Sequence, residues 1–248
     1  MKRELVITDV TRMQEGRVCV AGYDRQRNCV RPVLAPPGIH ESSLCAKKKP
    51  IVFPFALVEY DLLDHIPKPP HTEDWRYDPA SVRLIKKLGE KEKRETLERL
   101  CFPGVDAIFG TPIISAQGHY VLDGQGTRSL GTIRPRQILK VIHEQRDDAW
   151  KYRLWFVNGE RMTWHLTITD LAWRYFCDSQ RQTRSAEKIV SELTAKLEAS
   201  QVYLRIGLAR GWDKHPDRCY LQVTGVYSFP DYLEGRTFAD FSLCKSND

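Results

Sequence analysis

The stretch "LRIGLARGW", residues 204–212, decides how this chain is read. Leu204, Ile206 and Leu208 recur with period two, the spacing of a strand with one face in a core. The opposite row is Arg205, Gly207 and Ala209, a guanidinium beside two positions with almost no side chain. Arg210 and Trp212 follow outside the pattern. A strand this bare on one face admits either another backbone or a ligand, and the residues alone allow both.

Working outward, strands fit 202–209 and 219–229 around this point. Three more precede them: "QILKVIHEQ" (137–145), "KYRLWFVN" (151–158) and "RMTWHLTIT" (161–169), the last two joined at Asn158-Gly159. A helical part lies between, in which Ala186, Ile189, Val190, Leu193 and Leu197 form an amphipathic stripe. Three strands, a helix and two strands is the element order of an OB-fold, a small Greek-key barrel, although other mixed folds share it. The first half is a blurrier copy. Strands fit 5–10, 17–23 and 28–33, followed by a loop at 34–50 and a strand over 51–63. A proline-punctuated connector (65–79), a helix over 80–101 and a hairpin around Gln117-Gly118 complete it. The expected class is α+β, mainly β: two OB-like barrels. Residues 1–127 form the first unit, with a helical connector at about 64–101, and 128–248 the second.

The 248 residues are 42% hydrophobic and 28% charged, a globular composition with enough length for two cores. No apolar run approaches the ~20 residues that span a bilayer. "MKRELVITDV" turns polar too early for a secretory signal, so a cytoplasmic protein is expected. Seven cysteines, with no C-x-x-C pair, argue against a zinc ribbon or a disulfide framework. Cys19 and Cys29 are most simply small buried hydrophobes. The net charge of +6 suits phosphate or carboxylate partners, but an excess of this size is more often just a solvated surface.

"VCVAGYDRQRNCVRPV" near the start and "YLRIGLARGW…RCYLQVTGVYSFPDYL" near the end resemble the dual OB-containing domain family of bacterial proteins. The resemblance covers nearly the whole chain. It implies two OB units that recognise nucleic acid and a setting in prokaryotic conflict and immunity. It supplies no catalytic motif.

An OB barrel binds along the outer face of strands 2 and 3, flanked by the loops joining strands 1–2 and 4–5. Alternation along 151–156 sends Tyr152, Leu154 and Phe156 inward, and Lys151, Arg153 and Trp155 outward. In the next strand Met162, Trp164 and Leu166 are expected inside, with Arg161, Thr163 and His165 outside. The 4–5 loop, "RGWDKHPDR", adds Arg210, Trp212, Lys214, His215 and Arg218. Cations interleaved with indoles suit single-stranded nucleic acid, because the charges meet phosphates and the rings stack on bases. The candidate site is therefore Arg153, Trp155, His165, Arg205, Arg210, Trp212 and Lys214, with Arg134 and Arg136 as a further phosphate clamp. Plainer alternatives are a β-bulge at Gly207, Trp155 packed under the 184–199 helix, and a basic linker at 128–137.

Signs of catalysis are missing. Gly124, Gly126 and Gly131 do not make G-x-G-x-x-G, and no phosphate-binding loop or nucleophile elbow occurs. His65 and His71 lie in proline-rich sequence without metal-ligand geometry, and Asp9 and Asp24 are too few for a two-metal nuclease. Cys177 has no evident base. The expectation is a non-enzymatic protein without cofactor or metal that binds single-stranded or structured nucleic acid, in the antiphage-defence setting that the resemblance implies. A defence-system partner protein also fits, with this chain as adaptor to a nuclease or helicase. A sensor of a small anionic ligand, such as a nucleotide, held between the two units is the remaining alternative.

Overall fold

The computed structural model describes residues 1–146, 149–159 and 161–241. The first barrel is built from β1 (Lys2–Arg12), β2 (Arg17–Tyr23), β3 (Cys29–Val33), β7 (Ala56–His65) and β8 (Asp74–Lys87). Three two-residue strands, β4 (Ile39–His40), β5 (Cys45–Ala46) and β6 (Lys49–Pro50), lie in the long β3–β7 connection. The start of β1 pairs with β7 and its remainder with β2. β2 pairs with β3, β3 runs parallel to β8, and β8 returns to β7. The order β1-β2-β3-β8-β7 closes on itself, which is OB connectivity. A bulge between Ile7 and Asp9 shifts the alternation of β1. Val10 thereby joins Leu5 and Ile7 in the core, while Asp9 points away from it.

One sequence expectation fails here. Residues 80–101 are not one helix: β8 runs to Lys87, and α1 covers only Glu90–Arg99. Val82, Ile85 and Leu88 have helical spacing, but Val58 pairs with Leu84 and Glu59 with Arg83 across the sheet. A partner strand overrides a local periodicity of that length. The helix then starts at Gly89, whose N–H is accepted by Glu92 Oε2 at 2.9 Å. The expected helical connector at about 64–101 accordingly contains the first barrel's own fifth strand, β8, with α1 following it. β9 (Cys101–Phe102), β10 (Ile114–Ser115) and β11 (His119–Leu122) follow, with the β10–β11 hairpin where Gln117-Gly118 indicated.

The second barrel contains β12 (Leu130–Ile133), β13 (Gln137–Arg146), β14 (Ala149–Val157), β15 (Thr163–Ile168), β16 (Gln201–Leu208) and β17 (Arg218–Phe229). Helices α2 (Leu171–Gln180) and α3 (Ala186–Glu198) sit between β15 and β16, and α4 (Phe238–Phe241) follows β17. β12 and β13 act as one first strand bent at Pro135, a residue with no N–H to offer a ladder. β12 pairs with β16 and β13 with β14, while β15 runs parallel to β17. This repeats the first barrel's connectivity.

The two faces of β16 meet different surroundings where the barrels join. Leu204, Ile206 and Leu208 fill the second barrel's interior. On the opposite row Arg205 reaches into the first barrel, and Gly207 is closed over by Thr224 and Leu130 of its own barrel, so the fold itself and not a ligand packs there. Arg205 is fully buried, with Nη2 2.8 Å from Asp9 Oδ2 and Nη1 donating to Tyr23 and Thr132 hydroxyls at 2.9 Å each. Thr224 also donates to Asp9 at 2.6 Å, and Tyr227 donates to the Thr8 carbonyl at 2.7 Å. A Cβ on Gly207 would stand 2.7 Å from Thr224 Cγ2 and 2.8 Å from Leu130 Cδ2, so glycine is needed for close packing. Phe55, Leu88 and Leu97 close the seam against Tyr203, Tyr227 and Phe229.

A second seam network centres on Asp74. Arg31 donates to it at 2.6 Å, and Arg210 reaches it from the far side. Neighbouring Glu73 accepts from the backbone and hydroxyl of Ser129 at 2.6 and 3.0 Å. Asp170 caps α2 and accepts the Val226 N–H at 3.0 Å; burial pushes its carboxyl up to about 7, against three N–H donors that lower it.

Candidate nucleic-acid interface

The alternation expected in β14 is the one observed. Tyr152, Leu154 and Phe156 are buried in the barrel, and Lys151, Arg153 and Trp155 face outward. In β15, Trp164 and Leu166 are inside, and Thr163 and His165 outside. Met162 departs from expectation: it precedes the strand and is 49% exposed. It sits in the Asn158 turn, where its N–H is accepted by Asn158 Oδ1 at 3.0 Å. Trp155 does not pack under a helix; it is 39% exposed.

Strand register sets these side chains in rows. Lys140, Trp155 and His165 are direct cross-strand neighbours, and Ile142, Arg153 and Thr167 form the next row, continued by Gln222. The rings of Trp155 and His165 are 5.5 Å apart, and His119 follows at 5.9 Å from His165. His119 comes from β11, which pairs with β17, and Ser115 bonds its Nδ1 at 2.9 Å. Burial, and then neighbouring His165, lowers the His119 pKa, favouring a neutral ring beside the indole.

A second aromatic series runs from the 4–5 loop. Trp212 is 52% exposed and 5.6 Å from the His215 ring, within a tight turn closed by the two residues' backbones. His215 lies 6.0 Å from Tyr220, which lies 5.4 Å from Tyr120, and the Arg218 guanidinium sits 4.8 Å over Tyr120. Tyr220 and Gln222 lie on the same side of β17, and Gln222 continues the row of Arg153 and Thr167, so β17 links the two series. Lys214 is exposed on the same loop.

The structure therefore brings together Arg153, Trp155 and His165 on one face, and Trp212 and Lys214 on the adjoining loop. Arg205 is excluded from any ligand surface, because its guanidinium is sealed against Asp9 between the barrels. Arg210 is half exposed but ties the loop to Asp74. Arg134 and Arg136 flank the bend between β12 and β13, both exposed. Arg136 gives its N–H to Val157, and Arg134 lies within electrostatic reach of Cys101 and Tyr203. Cys19 and Cys29, expected to be buried, are only partly so. Lys140, His119, Tyr120 and Tyr220 were missed from sequence; the only signal was a His-Tyr pair after a Gln-Gly turn.

Two closed five-stranded rings with an exposed cation-and-indole face define a tandem OB-barrel protein. The chain belongs to the dual OB-containing domain family, whose family model matches residues 3–226. No curated protein matches it. Among the described residues, no helix is long and apolar enough to cross a membrane, and no cluster of three metal-ligating side chains occurs.

Proposed function

We propose that this protein binds single-stranded or structured nucleic acid along the outer face of β14 and β15 and the 210–217 loop, without catalysis. The observation that carries this reading is the exposure of Trp155 and Trp212 among Lys140, Lys151, Arg153 and Lys214. Exposed indoles offer flat apolar area that a partner can cover. Nucleobases suit them because every base has a face to stack, and the surrounding cations release counterions from phosphates. Antiphage defence, in the cytoplasm, belongs to the same proposal, the defence setting resting on the family resemblance; an adaptor for a nuclease or helicase is the rival reading, and would leave this face silent toward oligonucleotides.

The test is fluorescence anisotropy with labelled single-stranded DNA, RNA and duplex at two salt concentrations. Affinity should fall steeply with salt, and Trp155→Ala and Trp212→Ala should each weaken it in folded protein. Normal binding by both variants removes this surface from the reading. Phage challenge of cells carrying or lacking the Trp155→Ala variant tests the defence role.

A further inference from the structure

A cleft of about 660 Å³ opens between the two barrels, away from the β14–β15 face. One wall comes from β1, the β2–β3 turn and the start of β8. The other comes from residues 99–102 and 127–130, which lead into the second barrel. Clefts of this size between domains are characteristic of small-molecule sites, and the volume suits one compact ligand better than a strand in passage.

Its lining is strongly one-sided in charge. Arg3, Arg27, Arg99 and Arg128 face it, and Glu73 is the single carboxylate among the lining residues. Glu73 is already held by Ser129 and lies 3.9 Å from Arg31. Arg3 is partly neutralised by Asp24 at 3.5 Å, and Arg99 by Glu95 at 3.6 Å. Among the described residues Arg27 and Arg128 have no acidic partner within salt-bridge distance, and both are exposed. Two unspent guanidiniums at one mouth are a phosphate-recognising arrangement, because each offers a planar fork of donors.

The backbone that carries Arg27 is fixed. Asp24 accepts the N–H groups of Gln26 and Asn28 at 3.0 and 2.8 Å, which fixes the turn that carries it. Arg27 takes a φ of 66° there, a left-handed conformation unusual for a side chain of this kind.

The walls also carry flat apolar surface. The His65 ring stacks on Trp75 at 4.5 Å, nearly parallel at 16°, and Phe102 lies under Arg128 at 5.0 Å. Arg3 also sits over Trp75 at 5.0 Å, so the aromatic surface left within the cleft for a planar group is the exposed His65 ring and the part of Phe102 outside its Arg128 contact. We propose that this cleft binds a nucleoside phosphate, its phosphates on Arg27 and Arg128 and its base against the aromatic walls. The site is separate from the nucleic-acid face and does not depend on it.

Isothermal titration with ATP, GTP, CTP and UTP at 150 mM salt tests this, with pyrophosphate and adenosine as separate arms. At least one nucleotide should bind more tightly than pyrophosphate and adenosine. Arg27→Ala and Arg128→Ala should each weaken it about tenfold or more, and Phe102→Ala should weaken it while leaving pyrophosphate binding unchanged. Trp155→Ala should leave nucleotide binding unchanged while weakening oligonucleotide binding. Thermal melts confirm that each variant is folded; one that is not is replaced by the milder Arg128→Gln or Phe102→Leu. Absence of saturable binding up to millimolar nucleotide overturns the proposal, as do equal affinities for pyrophosphate and every nucleotide, or loss of nucleotide binding in Trp155→Ala alone.

Discussion

Replacing Arg205 with methionine separates a structural role from a ligand-binding one. The guanidinium is fully buried, donating to Asp9 through Nε at 2.9 Å and to the Tyr23 and Thr132 hydroxyls at 2.9 Å each. Methionine fills much of the volume but leaves the Asp9 carboxylate buried with only the Thr8 and Thr224 hydroxyls at 2.8 and 2.6 Å. Removing one partner of a buried ion pair costs about 3–5 kcal/mol. At about 2–4 °C per kcal/mol for a chain of this size, the melting temperature should fall by about 6–20 °C. Replacing both charges, Arg205→Met with Asp9→Leu, should recover much of that loss, because no uncompensated charge then remains. Differential scanning fluorimetry reads the shifts, and anisotropy at a temperature where each variant is folded reads binding. A melting temperature unchanged in Arg205→Met, together with lost oligonucleotide affinity, would refute the seam assignment and return Arg205 to a ligand surface.

Trp155→Ala and Trp212→Ala should each cost about 1–3 kcal/mol of single-strand affinity, read by anisotropy, with little change in melting temperature. Lys151→Ala should lower the slope of log affinity against log salt by about 0.7, if that ammonium meets one phosphate of a single strand. Gly207→Ala should destabilise by about 1–3 kcal/mol in urea denaturation, because the new methyl meets Thr224 and Leu130. Burial, and then Arg31, Arg210 and Lys68, depress the His71 pKa to about 2 from an ordinary 6.5. Below pH 6.5 the unfolded chain takes up that proton and the folded one does not. Stability should therefore fall as pH drops from 6.5 toward 2, by up to about 1.4 kcal/mol per pH unit. His71→Gln should flatten that slope in urea titrations at stepped pH; an unchanged slope would assign the acid sensitivity elsewhere.

Features that depend on local period were legible in the residues alone. Alternation at 151–158 and 161–169 separated core from surface correctly at Trp155, His165 and Trp164, because one buried face imposes period two whatever lies beyond the sheet. The stripe Ile189, Leu193 and Leu197 marked α3 in the same way, and the order of strands and helix pointed to the barrel. Tertiary structure decided whatever depends on a distant partner. Leu204, Ile206 and Leu208 say that one face of β16 is core but are silent about its other face. At Arg205 that face meets the first barrel, through a contact with Asp9 spanning 196 positions of the chain, and at Gly207 it meets Thr224 and Leu130. Residues 80–87 carry spacing that suits a helix, and only pairing with β7 makes them a strand. His119 and Tyr120 reach the aromatic face because β11 docks on β17, about a hundred residues later in the chain. Periodicity reports the environment a residue's own segment must satisfy; it holds no record of which remote surface supplies it.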